Sequence, residues 1–153
     1  MYLNANDANT LVEIATSKTY LGKAAVGEQL FLKALRLTPY QNTWYFPYGA
    51  LTYFFQQKYD KFFETALKGP LDIWVDLPAF LAAAYANVGN QQEGSHYLNI
   101  FINTFTEKIL FGRRPQSWEI IDWLKKINPF KHESDSQLMI QGIISAGLED
   151  ILD

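Results

Sequence analysis

The feature that most constrains the fold of this 153-residue chain is a recurrence of about 34 residues, marked by small side chains. Ala15, Ala50 and Ala82 stand 35 and 32 residues apart. Four residues before each lies an apolar or proline position, Leu11, Phe46 and Pro78, and three residues after the second and third lies a tyrosine, Tyr53 and Tyr85. One helix pair of this length cannot bury its apolar face alone. Neighbouring pairs must stack, and small residues let their helices approach closely. The pattern therefore predicts an all-α fold of stacked antiparallel helix pairs, about three repeats, followed by extra C-terminal helices. An ordinary helical bundle whose small residues coincide is the alternative.

The layout resembles the tetratricopeptide pattern, W-x2-L-G-x2-Y, then A-x3-F, then P. A first unit over 8–41 carries Leu11, Ile14 and Ala15 on one helix and Gly27, Phe31 and Ala34 on the next, closed by Pro39; Lys18 falls in a slot where an aromatic is usual. A second over 43–74 carries Phe46, Gly49, Ala50 and Tyr53, then Tyr59-Asp60 opening its second helix. There Phe62 fills a slot for a small residue and Ala66 a slot for a large one, which predicts an inverted or shifted packing. A third over 75–106 has Leu81, Ala82 and Tyr85, a Gly89-Asn90 turn, then Gly94 and Leu98. The capping helices are expected over 117–148.

Periodicity and breakers together predict helices at about 8–21, 24–38, 43–57, 59–68, 75–88, 91–105, 117–127 and 135–146. Ser134 with Gln137 suggests a capping box for the last of these, and Ala146-Gly147-Leu148 a left-handed glycine stop. Residues Leu3 to Asp7 occupy the place where a preceding repeat would finish. The chain is accordingly expected to be a fragment of a longer protein, forming one domain over 1–153.

Three segments extend the resemblance. Leu81-Ala82-Ala83-Ala84-Tyr85-Ala86-Asn87-Val88-Gly89, then Asn128-Pro129-Phe130-Lys131, then Gln141-Gly142-Ile143-Ile144-Ser145-Ala146-Gly147-Leu148 are similar to the LAAAYAxLG, PFKD and EGLRKAGL segments of one bacterial repeat region. That region follows class III adenylate/guanylate cyclase domains and some transcription activators, and Trp44-Tyr45 is similar to its WY start. The chain departs from it at Thr106 to Pro115, which reads as an insertion, and at His132-Glu133, which replaces an acid. The resemblance implies a cytoplasmic bacterial signalling protein whose catalytic domain lies outside this chain.

Composition excludes several functions. With 48% hydrophobic and 19% charged residues the chain is globular. It has no apolar run of 18 residues, so no membrane partner is expected. Zero cysteines leave no disulfide or thiolate metal site and fit a reducing compartment. A net charge of −3 and only three arginines, Arg36, Arg113 and Arg114, argue against a nucleic-acid partner. His96 and His132 have no helical metal-pair spacing, and His132-Glu133 with Asp135 reads as a solvated helix cap. Glu119 and Asp122, one turn apart, read as the wet face of a helix bearing Trp118, Ile121 and Leu124. No nucleophile motif or phosphate loop is present. The chain is thus not expected to be an enzyme, and no cofactor or metal is expected.

In stacked helix pairs the first helix of each lines the concave face. The candidate partner-binding residues are Asn9, Val12, Thr16 and Tyr20; Trp44, Pro47, Leu51, Phe54 and Phe55; and Asp76, Ala79, Ala83 and Asn87. The aromatic density of Trp44 to Phe55 exceeds what one inward stripe requires, so either some rings form an exposed patch or further helices cover them. Val12 and Thr16 stand where carboxylate-gripping repeats carry Lys and Asn, so a chaperone C-terminus is not the expected ligand. The expected partner is a protein or extended peptide; the alternative is a homodimer, joining two copies of an attached catalytic or DNA-binding domain.

Overall fold

The computed structural model describes residues 7–152. Among them are nine helices and no strand: α1 (Ala8–Tyr20), α2 (Ala24–Leu37), α3 (Tyr45–Phe55), α4 (Tyr59–Ala66), α5 (Leu77–Asn87), α6 (Gln91–Lys108), α7 (Ser117–Ile127), α8 (Glu133–Ser145) and α9 (Leu148–Leu152). The fold is all-α. The first eight helices begin and end within three residues of the positions expected from sequence. The proposed seam at Leu3 to Asn6 lies outside the described residues. The helices gather into two compact units, one up to Ile73 and one from Trp74 onward.

The first three helix pairs share one turn. Seven residues after Ala15, Ala50 and Ala82 stand Gly22, Gln57 and Gly89, each left-handed, with φ of 76°, 56° and 80°. The next N–H in each, from Lys23, Lys58 and Asn90, donates to the carbonyl five residues back, Lys18, Tyr53 and Tyr85, at 2.9 Å in all three. This closure satisfies carbonyls that a helix end leaves without partners. The second helix then starts at Ala24, Tyr59 or Gln91, at the same offset each time.

Close approach follows the same register. Gly27 of α2 faces Ala15 of α1 so tightly that a Cβ there would lie 2.7 Å from the Ala15 carbonyl oxygen and 2.5 Å from Thr19 Oγ1. Gly94, at the equivalent place in the third pair, would set a Cβ 3.4 Å from the Ala82 carbonyl oxygen. In the second pair that place belongs to Phe62, which is fully buried with its ring 5.4 Å from that of Phe54, while Ala66 one turn on is also fully buried. The large and small positions have exchanged.

In the first unit α3 packs against α1, α2 and α4. Its sequence, Tyr45 to Phe55, is apolar around the whole circumference, which suits a helix enclosed on all sides. Gly49 lets it seat on Phe31 of α2: a Cβ would fall 2.2 Å from the Phe31 ring. Phe31, Phe54 and Phe62 are buried to within 1%, and each such side chain contributes about 1.5–3 kcal/mol of transfer free energy.

In the second unit α5 is the enclosed helix, every residue from Leu77 to Ala84 being buried. It lies against α6 and α8. Gly142 of α8 rests directly on Ala83, where a Cβ would be 2.5 Å from the Ala83 Cβ. Ser95 of α6 donates its hydroxyl to the Ala146 carbonyl at the end of α8, at 2.9 Å. Helix α7 buries Ile120 and Leu124 and sets Trp123 edge-on to Phe105 of α6, with ring centres 5.1 Å apart.

Two local expectations are corrected. The capping box opens α7, with Gln116 and Glu119, and not α8, which begins at Glu133 beside His132 without a side-chain cap; Gln137 turns instead to Glu133 at 2.8 Å. Trp118 does not join the buried face of α7 but is 67% exposed, because burial of Ile120 and Leu124 turns it outward. The Gly147 stop is present, with φ of 105°, and Leu148 after it is buried and starts α9.

Candidate partner-binding surface

The candidate residues fall into two groups by accessibility. In the first unit Val12, Pro47, Leu51 and Phe54 are buried. Pro47 backs onto Gly69, and Phe54 lies among Phe55, Tyr59 and Phe62. These four are core, because α3 is covered on three sides by helices of its own unit. No ring from Trp44 to Phe55 is exposed: Tyr45, Tyr53 and Phe54 are buried and Trp44, Phe46, Tyr48 and Phe55 half-buried. Of the two alternatives the sequence left open, an exposed patch or rings covered by further helices, the rings are covered, by helices of their own unit.

What remains accessible is a strip along α1 and the ends of α3. Asn9 is exposed and its side-chain oxygen accepts from the Tyr45 hydroxyl at 2.5 Å. Trp44 sits edge-on to Tyr45 and Tyr48, with ring centres 4.7 and 5.4 Å apart. Thr16 is half-buried and turns its hydroxyl to the Val12 carbonyl at 3.1 Å. Tyr20 and Phe55, both half-buried, lie 6.1 Å apart. Asn9, Thr16 and Tyr20 thus form an edge with an aromatic pair at each end.

In the second unit only Asn87, at the end of α5, is exposed. Ala79 and Ala83 are fully buried, and Ala83 is covered by Gly142 of α8. Asp76 is 4% exposed. Its carboxylate accepts from the Asn128 amide at 2.9 Å, while its carbonyl accepts from Ala79 and Phe80 at the start of α5. Burial pushes the Asp76 carboxyl above the ordinary range, partly offset by the Asn128 hydrogen bond. A face expected to be open is closed by the chain's own eighth helix.

Two surfaces escaped the sequence reading. One is a cleft of about 230 Å³ in the first unit, floored by Phe31, Leu32, Phe46 and Tyr53. Lys61 lies over the Tyr53 ring at 5.7 Å and Lys68 over the Phe46 ring at 5.8 Å. Its readable signal is the seven-residue spacing of these lysines, Lys61 on α4 and Lys68 in the turn that follows it. The other is the segment joining α6 to α7, where Phe111 is 90% exposed and left-handed at φ 52°. Here Arg113 forks onto Glu119 at 2.6 and 3.0 Å, and Arg114 donates to the Leu152 carbonyl at 2.6 Å.

Electrostatics in the first unit centre on Glu28. Lys58 reaches it at 2.7 Å, Gln56 at 2.8 Å and Lys61 at 3.9 Å. Burial works against its charge, but the hydrogen bonds from Lys58 and Gln56 more than offset this, and its carboxyl lies below the ordinary range. This hub ties α2 to the turn between α3 and α4. Among the described residues no three His, Asp or Glu side chains are placed to hold a metal ion, and no helix is long and apolar enough to cross a membrane. Comparison with protein-family models, with curated proteins and with solved structures finds no match.

Proposed function

We propose that this chain is a non-catalytic protein-interaction module of tetratricopeptide type, part of a cytoplasmic bacterial signalling protein of the kind in which such repeats follow a class III nucleotide cyclase or a transcription activator. The observation that supports this reading most is the recurrence of one hairpin closure three times. A left-handed residue stands seven positions after each of Ala15, Ala50 and Ala82, with the same hydrogen bond across the turn. A register shared by sequence and backbone across three pairs supports repeated units over an ordinary bundle. Any catalysis belongs to an attached domain.

The accessible edge of Asn9, Thr16, Tyr20 and Phe55, with Trp44 at its end, suits an extended peptide or protein surface that offers apolar side chains to the rings and a donor or acceptor to Asn9. The test is a display screen of random peptides against the purified chain, followed by Tyr20→Ala/Phe55→Ala. Binding lost by the double variant at unchanged melting temperature supports the reading. Peptides that bind the variant equally well overturn this edge as the site. Self-association is the second reading, favoured by the exposed aromatic segment between α6 and α7.

A further inference from the structure

A cleft of about 330 Å³ lies in the second unit between α6, the segment leading to α7 and the end of α9. Its lining has a definite chemistry. Asn99, Asn103 and Thr106 of α6 stand four and three residues apart and so share one helix face, with Ile102 among them. Arg114 enters from the following segment and Ile151 from α9. Among the described residues that line the cleft, Arg114 is the only charged one.

These polar groups are open to a ligand and held in place. Arg114 donates from one guanidinium nitrogen to the Leu152 carbonyl at 2.6 Å and forms no ion pair among the described residues. Its other N–H groups are available. The backbone that carries it is tied down on both sides: Gly112 N–H donates to the Thr106 carbonyl at 2.9 Å, and Arg113, forked onto Glu119, donates to the Arg114 carbonyl at 3.3 Å. Asn99 donates to the Ser95 carbonyl at 2.8 Å, which leaves its Oδ1 and second amide hydrogen. The side chains of Asn103 and Thr106 make no hydrogen bond among the described residues.

Resting on the reading of this chain as a protein-interaction module, we infer that this cleft binds an extended peptide segment bearing one Asp or Glu, its backbone on Asn99 and Asn103 and its carboxylate on Arg114. The spacing carries the first part. A helix rises about 1.5 Å per residue, so Asn99 and Asn103 lie about 6 Å apart along α6. An extended chain presents N–H and C=O groups to one side every second residue, about 6.6 Å apart. Each asparagine amide offers a donor and an acceptor, as a peptide group requires. The charge carries the second part. A guanidinium with free N–H groups and no acid in the lining suits a carboxylate, whereas a basic segment would meet an uncompensated positive charge. Ile102 and Ile151 receive the apolar part of a neighbouring side chain, and Thr106 adds a hydroxyl.

The test is an array of random heptapeptides, acetylated and amidated so that no terminal carboxylate is present, probed with the purified chain. Fluorescence anisotropy then gives affinities for the selected peptides. These are expected to contain one acid, and its exchange for the corresponding amide should weaken binding by about 10-fold or more. Arg114→Gln should cause a similar loss for the acidic peptide and little for its amide counterpart, which isolates the pair. Asn103→Asp, at an exposed position with no bond to lose, should weaken the acidic peptide by about 10-fold with an unchanged circular dichroism spectrum. Tyr20→Ala/Phe55→Ala should leave these affinities unchanged. An array without binders, binders indifferent to the acid-to-amide exchange, or an acid preference that survives Arg114→Gln overturns the inference. Binding only after the C-terminus is unblocked would assign Arg114 to a terminal carboxylate and overturn the acidic side chain. Loss of these peptides through Tyr20→Ala/Phe55→Ala would overturn this site while sustaining the edge in the first unit.

Discussion

The Asn128 side-chain amide bridges the carboxylate of Asp76 at 2.9 Å and the Leu124 carbonyl at 3.0 Å, joining the end of α7 to the start of α5. The carboxylate is buried inside the second unit, and the hydrogen bonds from Asn128 and from its own backbone N–H only partly offset that burial. Its folded pKa is therefore raised, and the folded state binds more protons than the unfolded state between the ordinary carboxylate pKa and the raised one. Stability from this group is fully present below the unfolded pKa and is lost as pH rises through the folded pKa.

Asp76→Asn keeps an acceptor for Asn128 and removes the charge. It is expected to leave stability at pH 7 equal to wild type or higher by about 1 kcal/mol. The difference between the two proteins, measured by urea unfolding, should shrink toward acid. Asp76→Ala, which strands the Asn128 donor, should cost about 1–3 kcal/mol. Parallel pH profiles for wild type and Asp76→Asn would contradict the assignment.

Glu28 has the opposite sign. Its folded pKa is lowered, so its contribution is present above the unfolded pKa and is lost as pH falls through the folded pKa. Glu28→Gln should cost about 1 kcal/mol at pH 7 and remove part of the acid sensitivity of the first unit. Chemical unfolding at pH 7 and at pH 3 measures both.

Gly27 and Gly94 share a register but not a clearance. Gly27→Ala drives a Cβ against Thr19 Oγ1 and the Ala15 carbonyl and is expected to cost about 2–3 kcal/mol. Gly94→Ala meets ordinary contacts at 3.4 to 3.6 Å and should gain up to about 1 kcal/mol from helix propensity. Thermal melting of the two variants gives opposite shifts if the two helix crossings differ as described.

Gln57 occupies the left-handed position that glycine fills in the other two turns. Gln57→Gly should therefore stabilise by about 0.5–1 kcal/mol, the relief of a left-handed side chain less the added freedom of the unfolded chain. Gly89→Ala, with open space around it but φ at 80°, should lose a similar amount. A melting temperature lowered by Gln57→Gly would argue against a strained turn.

Helix positions were legible in the sequence because punctuation and periodicity agreed. Gly22 and Gly89 end helices by backbone geometry, and Ala15 with Gly27 marks a crossing that admits no larger pair. Phe62 and Ala66 announced an exchange of sizes, and the structure has both buried in that exchanged arrangement. Accessibility was less legible. Ala79 and Ala83 suit an open groove as well as a closed one, and only the seating of Gly142 on Ala83 distinguishes them. Such a contact joins distant parts of the chain and leaves no periodic trace. Phe111 was hidden for another reason. An irregular segment has no period, so nothing in its sequence says which residue points outward.

The long-range closures of the two units also differ in reach, with a kinetic consequence. In the first unit the Tyr45 hydroxyl reaches back 36 residues to Asn9. In the second unit Asp76 waits for Asn128, 52 residues later, and Ser95 for Ala146, 51 residues later. Wider loops cost more entropy to close and slow the search for native contacts. During synthesis the first unit can complete its core while α7 and α8 are still inside the ribosome. Until α8 emerges, the apolar flank of α5 at Ala83 is bare, and that interval is when the nascent chain is most exposed to chaperones and to aggregation.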